Sequence, residues 1–311
     1  MQKILVTGGM GFIGSHLTDK LVECGFDVTI YDIQKTRYNI PQGVRWIRGD
    51  IGDFEQLRKA AIGKDGIVHL AAVSRVSAGN KNPLECMKTN VIGATNVLES
   101  VRVTGNQAWV ILGSTREVFG ISDKLPTTES TPQNTSNIYA VSKLAAELCC
   151  ERYAKDYGLR VMILRFSDVY GSDRDNLDKV LPKLILRALK DLDLYVSGEQ
   201  QFDFTHWKDI INGILLGIQY LGATENGYYG EFTLCTGKQT SLNELADIIL
   251  RESASKSTII SSGDRLCDVN RLFADPTKAM TALNYEAKID IHQGIKETVE
   301  ILKKVEATIS P

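Results

Sequence analysis

Residues 7–17 read TGGMGFIGSHL and follow directly on the apolar run Ile4–Val6. Glycines at positions 8, 11 and 14 permit a tight turn, close approach of the backbone to a pyrophosphate and close packing of a helix on the preceding strand. The start of that helix would present backbone N–H groups and a positive dipole end to phosphates. The first gap is one residue longer than in the general G-x-G-x-x-G fingerprint. The predicted cofactor-binding residues of this stretch are Gly8, Gly11, Phe12, Ile13 and Gly14.

The second apolar run, Val28–Tyr31, ends at Asp32, eighteen residues after Gly14. A carboxylate at this place can accept hydrogen bonds from the adenosine ribose hydroxyls and would repel a 2′-phosphate. The sequence therefore predicts NAD as the cofactor, although Lys35 and Arg37 lie near enough to keep NADP open.

Two later strand ends extend the predicted cofactor site. Asp50 and Ile51 follow the third strand candidate, at the expected adenine edge, and Leu70, Ala71 and Ala72 end the fourth. Small residues there would let the backbone approach the cofactor. Each pair alone is equally consistent with a plain strand end, and only their order along the chain favours the cofactor.

Short Val- and Ile-rich runs alternate with amphipathic stretches through the first 170 residues. Such alternation predicts an α/β fold, a Rossmann-type doubly wound parallel sheet with helices on both faces. We predict an NAD-binding domain over 1–170 that also receives roughly 200–222, and a smaller α/β substrate-binding part over 171–311, interleaved with it. The predicted strands are Ile4–Val6, Val28–Tyr31, Val44–Ile47, Ile67–Leu70, Trp109–Leu112, Val161–Leu164, Leu194–Val196, Phe232–Leu234 and Thr258–Ile260. The predicted helices are Phe12–Cys24, Phe54–Ala61, Cys86–Val103, Ile138–Tyr157, Leu177–Lys190, Lys208–Leu221, Leu242–Ser253 and Ile291–Lys304.

Composition narrows the class of protein. The 311 residues are 43% hydrophobic and 24% charged with a net charge of -2, which gives no overall electrostatic case for nucleic acid or an anionic membrane. No apolar stretch approaches the ~20 residues of a membrane span, and the N-terminus runs straight into the glycine motif without room for a signal peptide. Six cysteines and four histidines show no metal spacing. We expect a cytoplasmic enzyme with reduced thiols and no metal.

Tyr139 and Lys143 stand four residues apart on one face of a predicted helix. Lys143 can lower the pKa of the phenol by its charge and hold a nicotinamide ribose, and Tyr139 can exchange a proton with a substrate hydroxyl. The preceding strand ends in Gly113-Ser114-Thr115, where a hydroxyl faces the ligand side of such a sheet. The spacing Y-x-x-x-K is weak alone, and this context is what favours catalysis.

Several motifs in order resemble the NAD-dependent sugar epimerase/dehydratase family of the extended short-chain dehydrogenases. The resemblance implies a nucleotide-sugar substrate, with UDP favoured, and a catalytic triad of Thr115, Tyr139 and Lys143. It also places Asn90 in the water network beside the cofactor, and it implies a homodimer formed through the helices at 86–103 and 138–157. The motifs are TGGMGFIGSHL (7–17), GDI (49–51), HLAA (69–72), STREVFG (114–120), NIYAVSKLAAE (137–147), LRFSDVYG (164–171), FDFTHWKD (202–209) and ADPTKA (274–279).

Arg116 and Glu117, which follow Thr115, decide among the reactions of this family. Related 4,6-dehydratases carry Asp-Glu at these places, and simple 4-epimerases usually carry small residues at the second. Arg116 cannot serve as an acid at neutral pH but could clamp a sugar carboxylate, or it could point to solvent. The stretch also resembles a 5,6-dehydratase that keeps the Glu and lacks the Asp. We predict a 4-epimerase, with a dehydratase or a uronate decarboxylase using Glu117 as the alternative and an inactive NAD sensor as a remote one.

The nucleotide end is predicted from the same resemblance. Arg174 and Arg265 match positions that grip the substrate diphosphate, while Asp168 and Phe202 depart from the family's usual Asn and Arg. A carboxylate at position 168 would lie near phosphates unless it is paired. The predicted substrate-binding residues are Arg75, Ser114, Asp168, Arg174, Val180, Tyr195 and Arg265.

Overall fold

The computed structural model describes residues 1–35, 38–105, 107–197, 200–262 and 271–309. Its strands, numbered in chain order, begin with the Val- and Ile-rich runs that the sequence predicts. They are β1 (Lys3–Thr7), β2 (Asp27–Asp32), β3 (Arg45–Arg48), β4 (Gly66–His69), β5 (Trp109–Thr115), β6 (Arg160–Phe166), β7 (Asp168–Tyr170), β8 (Leu194–Ser197), β9 (Gln201–Phe202), β10 (Phe204–His206), β11 (Tyr229–Leu234), β12 (Thr240–Ser241), β13 (Ile259–Ser262) and β14 (Arg271–Leu272).

The helices include all the predicted amphipathic stretches, and the structure adds two short helices that were not predicted, Val76–Lys81 and Thr277–Leu283. The predicted helix Cys86–Val103 is interrupted by a π-helical segment, Lys88–Ile92, between α4 and α5. The helices are α1 (Phe12–Glu23), α2 (Phe54–Ala61), α3 (Val76–Lys81), α4 (Pro83–Met87), α5 (Gly93–Thr104), α6 (Ile138–Tyr157), α7 (Val180–Ala188), α8 (Trp207–Gly222), α9 (Leu242–Ser253), α10 (Thr277–Leu283) and α11 (Ile291–Ile309).

Seven parallel strands form the main sheet in the order β11-β6-β5-β4-β1-β2-β3. The chain runs outward from β1 to β3 and then returns to β4 on the other side of β1. The strand order therefore reverses between β1 and β4, and ligands of such sheets bind outside the carboxyl ends of the strands at that point. The predicted Rossmann-type doubly wound fold is confirmed.

One edge strand of the main sheet, β11, comes from residues 171–311, which we assigned to the substrate-binding part. The predicted strand Phe232–Leu234 pairs in parallel with β6 as part of Tyr229–Leu234. It covers the edge of β6, whose backbone groups would otherwise stay unpaired. The periodicity of the sequence gives no indication of which sheet a late strand joins.

Helices cover both faces of the sheet. Side chains of α1, α8 and α10 bury one face, with Leu17 and Ile214 fully buried, and side chains of α2, α5 and α6 bury the other, with Leu57 and Val97 fully buried. A third apolar core joins α7, α9 and α11 around β8. In the part of the chain that the structure describes, no helix is long and apolar enough to cross a membrane.

Candidate active site

The glycine turn between β1 and α1 is closed so tightly that only glycine fits. Gly8 has φ +71°, and a Cβ on it would lie 2.5 Å from the backbone N of Ala71. A Cβ on Gly14 would lie 2.1 Å from the carbonyl oxygen of Gly8. The N-cap of α1 is Gly11, so no side chain caps the first turn of the helix. The turn thus leaves room and backbone donors for a phosphate group.

Asp32 ties the glycine turn to the end of β2. Its Oδ2 accepts a hydrogen bond from the backbone N of Met10 at 3.0 Å, and its Oδ1 accepts from the backbone N of Gln34 at 3.1 Å. Each carboxylate oxygen can accept a further hydrogen bond, and the side chain lines the cleft. The geometry suits ribose hydroxyls. Of the two residues that kept NADP open, Lys35 lines the cleft and Arg37 lies outside the described residues.

The cleft wall beside the glycine turn is formed by the ends of β3 and β4. Asp50 and Ile51 line the cleft together with the backbone at Leu70, Ala71 and Ala72. The Oδ1 of Asp50 accepts from the backbone N of Gly52 at 2.8 Å, which holds the turn after β3.

Asn90 lies behind this wall, in the π-helical segment. Its Oδ1 accepts from the backbone N of Val73 at 2.8 Å, and its Nδ2 donates to the carbonyl of Val73 at 3.1 Å and to Oγ of Ser142 at 2.8 Å. The side chain is 2% exposed. Asn90 therefore fixes the loop after β4 to the helix that carries Tyr139. Its place in the water network beside the cofactor stays a prediction.

Tyr139 and Thr115 meet at the carboxyl end of β5. Tyr139 is 9% exposed, and its hydroxyl is hydrogen-bonded with the Thr115 side chain. Burial raises the pKa of Tyr139 above its ordinary value, the Thr115 hydrogen bond opposes this effect, and the Glu117 and Asp168 carboxylates add to the rise. This direction is opposite to the lowering expected from Lys143, so Thr115 is the group of the chain that favours the phenolate.

Lys143 lies one helical turn after Tyr139 and is fully enclosed. Its Nζ donates to the carbonyl of Gly113 at 2.6 Å. Burial lowers the pKa of Lys143 to about 8, while the Glu147 carboxylate raises it. Lys143 is therefore mainly charged at neutral pH and loses its proton as the pH rises through about 8.

A buried ion-pair network behind Lys143 was missed by the sequence analysis. Glu147 is paired with Arg165 at 2.7 Å, and its Oε1 accepts from Oγ of Ser114 at 2.5 Å. Arg165 also pairs with Glu231 of β11 and lies 5.0 Å from the ring of Phe119. The Ser114 hydroxyl is therefore directed toward Glu147. Other atoms of Ser114 line the cleft. The available signal was the arginine within the apolar strand VMILRF, since a buried charge needs a partner.

Arg116 is buried and is paired within the protein. Its side chain is 5% exposed and its Nη2 lies 2.5 Å from Oδ2 of Asp168. Nη1 donates to the carbonyl of Leu272, and the guanidinium lies 5.1 Å from the ring centre of Phe202. The solvent-facing alternative is wrong, because the Arg116 side chain is buried. The predicted clamp on a sugar carboxylate stays a prediction, and the ion pair with Asp168 disfavours it. The pairing also supplies the counter-charge that we required for a carboxylate at position 168.

Glu117 lines the cleft beside Tyr139. Its side chain is 21% exposed, and its Oε1 lies 3.9 Å from Nη2 of Arg116. Its backbone N donates to Oγ1 of Thr115 at 3.2 Å. The carboxylate is thus held at the reacting end of the cleft, where the prediction placed it.

The loop after β7 supplies charged groups that the sequence analysis overlooked. Asp175 is buried, its Oδ1 pairs with Nζ of Lys179 at 2.8 Å, and its Oδ2 has no hydrogen-bond partner among the described residues. Burial raises the pKa of Asp175, and the charges of Lys179 and Arg75 oppose the rise. Arg75, predicted to bind substrate, thus faces Asp175 across the cleft.

The other predicted substrate contacts lie around the same cleft. Arg174 lines it but is paired with Asp19 of α1 at 2.6 Å and lies 5.0 Å from the Tyr38 ring. Val180 and Tyr195 line the far end and are 45% and 55% exposed. Arg265 lies outside the described residues.

Trp207 and Lys208, at the start of α8, both have partners in other elements. Trp207 stacks on the ring of His16 at 3.7 Å and donates from Nε1 to the carbonyl of Gly171 at 3.1 Å. Lys208 pairs with Glu297 of α11 at 2.8 Å. Trp207 thus connects α8 to α1 and to the loop after β7, and Lys208 connects α8 to α11.

The cleft measures about 1660 Å³. This volume exceeds the ~300–1,000 Å³ usual for one small-molecule ligand, so a cofactor and a substrate fit side by side. Among the residues whose placement is described, no three His, Cys, Asp or Glu side chains are grouped so that they could hold a metal ion.

A doubly wound sheet with a glycine turn after β1, and with Thr115, Tyr139 and Lys143 at the end of β5, defines a dinucleotide-dependent oxidoreductase of the short-chain type. A family model described as the NAD dependent epimerase/dehydratase family matches residues 4–228. The chain belongs to this family and is an NAD-dependent enzyme, as predicted.

Relatives and solved structures in the family differ in their reactions. The chain is 34% identical over 308 residues to a putative UDP-glucose 4-epimerase of Methanocaldococcus jannaschii, covering 96% of this chain and 98% of the relative. It is 29% identical over 313 residues to UDP-glucuronic acid decarboxylase 1 of Danio rerio, covering 97% and 73%. The crystal structure of a UDP-glucose 4-epimerase of Thermotoga maritima with UDP-glucose matches with a TM-score of 0.91 at 28% identity, covering 98% and 100%.

Proposed function

We propose that this chain is a nucleotide-sugar 4-epimerase acting on a UDP-hexose. The proposal rests on one observation above all: Arg116 occupies the position of the dehydratase acid and is locked to Asp168. The site therefore lacks an acid at position 116 to protonate a departing hydroxyl. Thr115 and Tyr139 remain as the pair that can move a proton at the sugar 4-hydroxyl.

The glycine turn, Asp32 and Lys143 fit the proposed cofactor site. The turn holds space that a Cβ would fill, Asp32 offers acceptors to the adenosine ribose, and Lys143 offers a donor beside Tyr139. NAD bound there supplies the acceptor, and then the donor, of a hydride at sugar C4.

The residues of the chain then carry the proton chemistry. Tyr139, as phenolate, accepts the proton of the sugar 4-hydroxyl while Thr115 holds the oxygens in place. The Thr115 hydroxyl, which lowers the pKa of Tyr139, favours the phenolate. In the return direction Tyr139 gives the proton back to the 4-keto oxygen, after the sugar has turned its other face in the cleft.

A dehydratase is the second candidate because Glu117 is held beside Tyr139. A 4-keto sugar has an acidic C5–H, and Glu117 is the carboxylate placed to remove that proton. Because position 116 carries no acid, Glu117 would also have to protonate the departing hydroxyl during the elimination.

Incubation of the NAD-loaded protein with UDP-glucose separates the two reactions. We expect UDP-galactose of unchanged mass, identified by chromatography and mass spectrometry. Glu117→Gln should then lower kcat by no more than about 10-fold, because a proton-handling carboxylate would contribute about 10²–10⁴-fold. Glu300→Gln, an exposed change on α11, is the matched control. A product lighter by one water and a collapse of the Glu117→Gln rate would establish the dehydratase instead.

We propose that the protein acts as a homodimer through α4, the π-helical segment and α6. These helices carry Leu84, Ile92, Val141 and Leu148, which are 68%, 52%, 38% and 55% exposed. Burying them between two copies would remove apolar surface from water. Light scattering of the purified chain tests this, and a monomer at micromolar concentration would refute it.

A further inference from the structure

Three residues that depart from the family pattern, Arg116, Asp168 and Phe202, form one cluster at the reacting end of the cleft. They belong to the segment after β5, to β7 and to β9, and the carbonyl of Leu272 on β14 completes the cluster. Phe202 is paired in register with Leu272. Three other segments, β7, β9 and β14, therefore hold the Arg116 guanidinium in place.

The arrangement decides which charge the cleft presents to a sugar. Arg116 is 5% exposed, whereas the Asp168 side chain is 44% exposed and lines the cleft. Glu117, which lines the cleft beside them, is 21% exposed. One buried cation, Arg116, thus lies behind two accessible carboxylates, Asp168 and Glu117. This side of the cleft therefore carries a net charge of about -1 and presents carboxylate oxygens as hydrogen-bond acceptors to the ligand.

Three of the other cations that line the cleft are directed to partners within the chain, and Arg75, which also lines it, lies near the buried Asp175. Lys179 pairs with Asp175 at 2.8 Å, Arg174 pairs with Asp19 at 2.6 Å, and Lys143 donates to the carbonyl of Gly113. A carboxylate at sugar C6 would thus meet like charge at this wall. The hydroxyls of an uncharged hexose can instead donate to Asp168.

We propose that the Arg116–Asp168 pair is a specificity device that admits uncharged sugars and rejects uronates. The inference rests on the proposed nucleotide-sugar function and deepens it, since it names the substrate class. Asp168 acts directly on the sugar, and Arg116 positions and neutralises Asp168. Like charges brought together at a binding surface oppose association strongly, and a site selects as much by what it excludes as by what it binds.

The test is the ratio of dissociation constants for UDP-glucuronate and UDP-glucose, measured by calorimetry on the NAD-loaded protein. We expect the wild type to bind UDP-glucose more tightly by about 10-fold or more, the effect of one unfavourable charge contact. Asp168→Asn keeps an oxygen for Arg116 and removes the charge, so it should reduce that ratio by about 10-fold or more. Asp178→Asn, an exposed change outside the cleft, should leave the ratio as it is.

Arg116→Gln is a second variant, which should change the ratio of the two dissociation constants in the opposite direction. It leaves the Asp168 carboxylate without its counter-charge, so discrimination against UDP-glucuronate should grow. Thermal unfolding and NAD content of each variant show that the fold is kept. Equal or tighter binding of UDP-glucuronate by the wild type, or an unchanged ratio in Asp168→Asn, would overturn this inference and leave the proposed function standing. Failure of both UDP-sugars and of dTDP-glucose to bind would overturn the proposed function, and the inference with it.

Discussion

Tyr139→Phe is expected to lower kcat by about 10³-fold, within the range that one positioned acid–base group contributes. The phenol is the group that Thr115 holds by a hydrogen bond at the end of β5, and phenylalanine keeps the buried ring while removing the transferable proton. The measurement is steady-state turnover of UDP-glucose, together with NAD content and melting temperature, which should stay at wild-type values.

Tyr157→Phe is the matched control, because Tyr157 lies at the end of the same helix and is 56% exposed. Its turnover should equal that of the wild type. If Tyr139→Phe retained kcat within 10-fold, Tyr139 would not be the proton carrier. Glu117 would then be the next group to test.

Gly14→Ala is expected to weaken NAD binding by about 100-fold or more, which corresponds to about 2.7 kcal/mol. The added Cβ would lie 2.1 Å from the carbonyl oxygen of Gly8. Backbone is the obstacle there, so the turn must open or α1 must move away from β1. Overpacking of this kind costs about 1–3 kcal/mol of stability, and a lower melting temperature should accompany the loss of NAD.

Gly222→Ala is the control for this variant. Gly222 ends α8, and no atom lies within 4 Å of a Cβ built on it. Fluorescence titration with NAD should give wild-type affinity there. NAD affinity of Gly14→Ala within threefold of the wild type would show that the glycine spacing does not shape the cofactor site.

Features that depend on neighbours in the chain were predictable from the sequence. The glycine turn, the carboxylate at the end of β2 and the four-residue spacing of Tyr139 and Lys143 each follow from a local backbone geometry. The alternation of apolar runs and amphipathic stretches likewise predicts the parallel sheet, because buried strands and covering helices have different periods.

Features that depend on distant partners were not predictable. Arg116 meets Asp168 across 52 positions and the Leu272 carbonyl across 156. The two departures at Arg116 and Asp168 looked like separate anomalies in the sequence, and they explain each other once paired. The same holds for Arg165, whose partner Glu231 lies 66 positions away. In each case a charge in an unusual place was visible, and its counter-charge was not.

The contribution of β11 to the main sheet bears on how the chain folds during synthesis. The sheet is complete only when the ribosome has produced residues 229–234, long after the glycine turn and the catalytic helix have emerged. In a chain that ended before these residues, the outer edge of β6 would have no partner strand and Arg165 would lack Glu231. Open edge strands invite pairing with other chains. We therefore expect a fragment ending near residue 170 to aggregate rather than to fold as an independent cofactor-binding unit.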